Sequence, residues 1–192
     1  MVDKKLFNKL KKDYEEYDIG RRIVIKNSQD ILKFSKQSIF ALHRGNTKDA
    51  ENLLQDAEKQ LDYLLTKMKG RKGLEYEGSY LAAIEEFVEA NLFYQFITTG
   101  NVGPIKKFKI RENSYLGGMS DLTGEIVRRA VYLATKRRYE DIQACYDAIQ
   151  AIVGELIKFN LTGQLRSKFD QSKNSLRKIE EIMYDLEIKR RN

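Results

Sequence analysis

Four acidic residues stand where the surrounding pattern calls for apolar ones. Glu86 and Glu89 are spaced i and i+3 in Glu-Phe-Val-Glu-Ala, among Phe87, Val88 and Ala90. Asp121 and Glu125 are spaced i and i+4 in Asp-Leu-Thr-Gly-Glu, with Leu122 beside the first. On a helix, each spacing puts two carboxylates on one face with Cβ atoms about 5–6 Å apart. Acids held that close repel, and burying an unpaired one is costly. A cation between them relieves both penalties. Oxygen-only donors select hard ions such as Mg²⁺ or Mn²⁺, which polarise a phosphoryl oxygen and lower the pKa of an attacking water. The chemistry that fits is metal-assisted phosphodiester hydrolysis. Arg128 continues the Asp121–Glu125 row one turn later, where a guanidinium can neutralise charge on a transferring phosphate. Two plainer readings stay open. Acidic pairs at helical spacing also suit a solvated surface, and Glu85 offers a rival i, i+4 pairing with Glu89.

The rest of the composition narrows the field. His43 is the single histidine, so a mechanism using two imidazoles, or a multi-histidine metal site, is excluded within one subunit. Cys145 is the single cysteine, which excludes an internal disulfide and any multi-cysteine zinc site. It lies on an apolar stripe and reads as a small buried hydrophobe. The net charge is +7, and much of the excess falls in runs: Lys9, Lys11 and Lys12; Lys67, Lys69, Arg71 and Lys72; Lys106, Lys107, Lys109 and Arg111; Lys136, Arg137 and Arg138; Lys189, Arg190 and Arg191. Such runs suit a polyanion, whose neutralised phosphates release counterions, although lysine also keeps helical surfaces soluble. No apolar run approaches the roughly 20 residues needed to span a bilayer, and no apolar stretch follows Met-Val-Asp-Lys-Lys as in a signal peptide. The expectation is a cytoplasmic protein with no membrane partner.

The elements that must carry these acids are helices. Only one proline, Pro104, interrupts 192 residues, a length that suits one domain over 1–192. Ile25, Leu32 and Ile39 recur seven apart in a first segment that ends near Gly45, after which Asn46 or Thr47 can cap a second. There Ala50, Leu53, Leu54, Ala57, Leu61, Leu64, Leu65 and Met68 trace a packed face, bounded by Gly70 and Gly73. The spacing predicts further helices over about Glu75–Thr98, Ser114–Thr135, Tyr139–Phe159 and Gln164–Lys189, with Gly100 to Pro104 the clearest break. The result is an all-α bundle or right-angled array of six or seven helices with short connections. The third helix is apolar on two faces, so it either sits centrally or buries its second face against another subunit.

Taken in order, several segments resemble one family. They are Ile-Phe-Ala-Leu-His-Arg at 39–44, Glu-Phe-Val-Glu-Ala at 86–90, Phe-Ile at 96–97, Tyr-Leu-Gly-Gly-Met-Ser-Asp-Leu-Thr-Gly-Glu at 115–125 and Lys-Ile-Glu-Glu-Ile-Met-Tyr-Asp-Leu at 178–186. Together they resemble translin and translin-associated factor X. The resemblance implies an all-α array of about seven helices assembling into an octameric barrel around RNA. It implies a Mg²⁺-dependent (or Mn²⁺-dependent) endoribonuclease acting on single-stranded or nicked duplex RNA, with an RNA–DNA hybrid or single-stranded DNA as further ligands. The partner-factor branch carries its catalytic, metal-binding acids in these motifs, which maps that role onto Glu86, Glu89, Asp121 and Glu125. The last helix reads more like translin, and the mixture resembles single-subunit homologues seen in archaea, hence a homo-oligomer. The resemblance also places Lys26 and Arg128 near the acids as phosphate contacts; a basic residue that only covers apolar surface is the alternative. His43, beside the packing residue Leu42, is expected to be structural. Two other functions are weighed against this one. A non-catalytic single-stranded nucleic-acid binder predicts salt-sensitive binding without a metal-dependent product, and a helical scaffold or adaptor predicts no affinity for RNA beyond charge.

Overall fold

The computed structural model describes residues 2–191, and the side chains of residues 2–188. Six α-helices follow one another: α1 (Lys4–His43), α2 (Thr47–Met68), α3 (Gly78–Thr99), α4 (Glu112–Thr135), α5 (Glu140–Leu156) and α6 (Gly163–Arg191), with one 3₁₀ turn at Leu74–Tyr76. No strand occurs among the described residues. The basic run Lys189, Arg190 and Arg191 closes α6, but its side chains lie outside the described set.

Local chemistry explains the ends. Asp3 caps α1, its carboxylate accepting from the Lys5 N–H at 2.8 Å and the Leu6 N–H at 3.2 Å, which satisfies two donors that a helix start leaves free. α1 stops where Gly45 takes φ +79° and its N–H reaches the Leu42 carbonyl, the left-handed ending that glycine adopts without a Cβ penalty. Gly100 ends α3 in the same way, at φ +73°, donating to the Phe96 carbonyl at 2.9 Å. α1 is longer than its docked part. The first buried residue is Gly20, and a preceding arm exposes Leu6, Phe7, Leu10 and Tyr14.

One connection departs from the expectation of short links. The segment between α3 and α4 does not turn back into an antiparallel hairpin; it retraces α3 towards its start. The Gly103 N–H donates to Gln95 Oε1 at 2.9 Å, Phe108 packs edge-on against Phe87 with centroids 5.7 Å apart, and the Arg111 guanidinium sits over Tyr76. α4 therefore begins beside the beginning of α3 and runs parallel to it. The second half of α1 shares this direction, with Lys36 beside Glu86 and His43 against Phe93. So does α6, whose start meets the start of α4 near Asn113 and Ser114. α2 and α5 run the other way.

α3 is the centre. Ala83, Ile84, Phe87, Val88, Ala90, Leu92, Phe93 and Phe96 are all buried, packed by α1, α2 and α4. Its two apolar faces are thus both used inside the subunit. Each large side chain removed from water there contributes about 1.5–3 kcal/mol. The buried apolar residues form one connected cluster from Val24 to Ile179.

Candidate functional site

The acids meet at the seam between α3 and α4, and two glycines set how close that seam is. A Cβ on Gly118 would lie 2.6 Å from the Glu85 carbonyl oxygen and 2.8 Å from Val88 Cβ; one on Gly117 would lie 2.8 Å from Glu85 Cδ. No side chain fits there, so the two backbones touch. From that contact the parallel helices carry Glu86 and Glu89 forward on one side, and Asp121 and Glu125 on the other.

Their environments differ sharply. Glu89 is 9% exposed and makes no hydrogen bond or ion pair with the described residues. Burial first, then the charges of Glu86, Asp121 and Glu125, push its carboxyl up to about 9. Glu86 is raised too, by burial, opposed by Lys36 and reinforced by Asp121 and Glu125; Lys36 Nζ stands 3.9 Å from it. These shifts record that Glu86 and Glu89 both feel the charges of Asp121 and Glu125 across the seam. Glu125 is different. Burial pulls its pKa upward, but the His43 ring hydrogen-bonded to it and the neighbouring Arg128 outweigh that and hold it below the usual range. Arg128 lies 3.6 Å away and is 56% exposed. Asp121 is bonded by the Lys168 ammonium, which also reaches Glu85 at 3.1 Å. Burial tends to lower the Lys168 pKa, and the bonds to Asp121 and Glu85 more than restore it, so the group stays charged.

Several of these partners escape sequence reasoning. Lys168 arrives from α6, 47 positions after Asp121, and carries no local signal. His43 is packed on Phe93 at 4.9 Å, in keeping with its structural assignment, yet its Nε2 also engages Glu125. Lys26 is exposed and forms no ion pair among the described residues; the α1 lysine that meets the acids is Lys36, roughly three turns further along. The Gly117–Gly118 contact had a readable clue. Glycine inside a helix costs about 0.5–1 kcal/mol each against alanine, so a mid-helix pair marks close backbone approach. Cys145 is buried and its thiol is pushed up to about 12 by that burial, as expected of an inert core residue.

As the side chains stand, no three acid, imidazole or thiol groups among the described residues are drawn tightly enough together to hold a metal ion. The donor set itself suits a hard divalent cation: four carboxylates, one of them nine-tenths buried and without any counter-charge of its own. An all-α array with an acid-lined parallel seam is the class of protein defined so far. The sequence matches the Translin family over residues 20–190, and the chain belongs to that family. It is 26% identical to the translin-associated protein X homolog of Schizosaccharomyces pombe over 200 residues, covering 93% of this chain and 85% of that one. It is also 26% identical to translin-associated protein X of Rattus norvegicus, covering 86% and 72%. Among solved structures, AfC3PO in complex with duplex RNA superposes with a TM-score of 0.88 at 20% identity, covering 97% of this chain and 98% of that one. Apo-NeC3PO superposes at 0.83 and 20%, covering 96% and 97%. These establish the fold.

Proposed function

We propose that the chain is the subunit of a homo-oligomeric, Mg²⁺- or Mn²⁺-dependent endoribonuclease, an octameric barrel in its expected form, cleaving single-stranded or duplex RNA. The observation that carries this reading is Glu89: a nine-tenths-buried acid with no hydrogen bond or ion pair among the described residues, beside Glu86 on its own helix and facing Asp121 and Glu125 across a backbone-close seam. A fold that only needed packing there would have an apolar residue, because an unpaired buried acid destabilises unless a cation or proton joins it. Glu86, Glu89, Asp121 and Glu125 would hold the cation. Once bound, a hard divalent ion polarises a phosphoryl oxygen and makes an attacking water more acidic.

The protein's own groups do the rest. His43 orients Glu125, and Arg128 beside it faces solvent, where its fork can grip a phosphate. Lys36, the basic neighbour of Glu86, adds positive charge at the same mouth. Lys26, roughly three turns earlier on α1, is retained as a phosphate contact. RNA as substrate is supported by the net charge of +7 and by the duplex RNA held by one structural relative; an RNA–DNA hybrid and single-stranded DNA are further ligands to try. Oligomerisation is supported by the exposed arm of α1 and by an apolar groove of about 640 Å³ lined by Val102, Leu116, Met119, Ile152, Leu156 and Phe159. No helix among the described residues is long and apolar enough to cross a membrane.

The test is cleavage of labelled single-stranded RNA, duplex RNA and RNA–DNA hybrid across a Mg²⁺ and Mn²⁺ titration, with the solution mass measured alongside. Metal-dependent products that vanish in the Asp121→Asn protein are expected. Salt-sensitive binding with no product at any metal concentration would instead establish a non-catalytic nucleic-acid binder.

A further inference from the structure

The geometry points to Lys168 as a resident cation of the acid cluster, one that competes with a divalent metal ion for Asp121 and shifts towards Glu85, which it already contacts, when the ion binds. This rests on the metal-binding reading above and adds to it a competitor built into the chain.

Lys168 is the only lysine among the described residues whose ammonium pairs with two carboxylates on two different helices. It is 16% exposed, and both acids are themselves largely covered, so the contacts are shielded from solvent. The ammonium holds Asp121 Oδ2; Oδ1 keeps free lone pairs, but a metal ion bound there stands close to a second full positive charge, so the two compete for this carboxylate by repulsion. Glu85 is the second acid within reach, at 3.1 Å, and it lies outside the four carboxylates proposed to hold metal. Moving from one acid to the other keeps the lysine paired, so displacement exposes no bare buried charge. The helix that carries it need not move. One turn further along α6, the buried Ser172 hydroxyl donates to the Ser120 carbonyl at 3.1 Å, which pins the lysine's backbone to α4 while its side chain changes rotamer. The arrangement gives the acid-rich seam a compensating positive charge of its own before metal arrives.

The experiment measures Mn²⁺ binding directly, by the electron paramagnetic resonance signal of the free ion, together with thermal melting with and without Mn²⁺. The proteins are the full-length wild type, Lys168→Met, Lys168→Arg and Glu89→Gln. Lys168→Met is expected to bind Mn²⁺ more tightly by on the order of tenfold, because a positive charge has left the site. It should also melt lower than wild type without metal and gain more on adding it. Lys168→Arg keeps the charge and should stay near wild type. Lys168→Gln, which retains a hydrogen-bond donor but no charge, serves if the methionine variant does not fold. Equal Mn²⁺ affinity in wild type and the uncharged variant, with Glu89→Gln weakened, overturns the displacement proposal alone. Mn²⁺ binding indifferent to both Lys168 and Glu89 overturns the metal assignment as well.

Discussion

The two helices that meet at the seam carry acids of opposite character. On α4, Asp121 and Glu125 each have a cationic or ring partner supplied from elsewhere in the fold: Lys168 from α6, His43 from α1 and Arg128 one turn on. On α3, Glu89 has none among the described residues, and Glu86 has only Lys36, at 3.9 Å. Electrostatic preorganisation explains the contrast. The paired acids of α4 are held in place, with Glu125 kept below its usual range, whereas Glu89 is raised to about 9 and takes up a proton when no metal supplies the missing charge. The α3 side is where added positive charge lowers the energy most, and the α4 side is where orientation is already set.

The largest effect that can break this comparison is on catalysis. Glu89→Gln keeps size and removes the charge, and RNA cleavage should fall by on the order of a hundredfold or more, while the variant melts no lower than wild type in metal-free buffer. Unchanged cleavage would mean that the buried acid is not part of the chemistry. Next comes the seam itself. Gly118→Ala forces a Cβ against the Glu85 backbone and should lower stability by about 1–3 kcal/mol, read in a denaturant melt. Gly124, on the same helix, has nothing within 4 Å of its Cβ position, so Gly124→Ala should instead raise stability by about 0.5–1 kcal/mol. If both alanines behave alike, the close approach of α3 and α4 is wrong.

A subtler discriminator is pH. Glu89 is raised from an ordinary 4.5 to about 9, so between those values the folded chain holds a proton that the unfolded chain has released. Stability contributed by the neutral acid is therefore present below the lower value and fades as pH rises through the upper one. Metal-free wild type should melt lower at pH 9 than at pH 6, with Glu89→Gln losing much of that slope. Saturating Mn²⁺ should flatten it in the wild type, because the bound cation takes the proton's place. A pH response identical in both proteins would assign the slope to other groups.

Much of the fold is legible in the residues because its causes are local. The alternation of Leu and Ala through α2, the glycines at 45 and 100 and the break before Pro104 each act within a few positions, and the observed helix limits follow them closely. The acidic pairs were legible for the same reason, as spacing on one helix fixes a shared face. The direction of α4 was not. It depends on where Gly103 and Phe108 dock along α3, which no short window contains. Lys36 rather than Lys26 meeting an acid is a similar case, decided by the pitch at which α1 crosses α3.

The sequence by itself determined an all-helical chain, where its helices after the first start and stop, and which acids travel together, since hydrogen bonding and side-chain periodicity operate over one or two turns. Only the tertiary structure decided that the two acidic helices run parallel at backbone contact, that Lys168 and His43 reach the acids from α6 and α1, and that Glu89 has no hydrogen bond or ion pair among the described residues. Those outcomes depend on packing between residues distant along the chain, where glycine contacts and the filling of one shared core set the geometry.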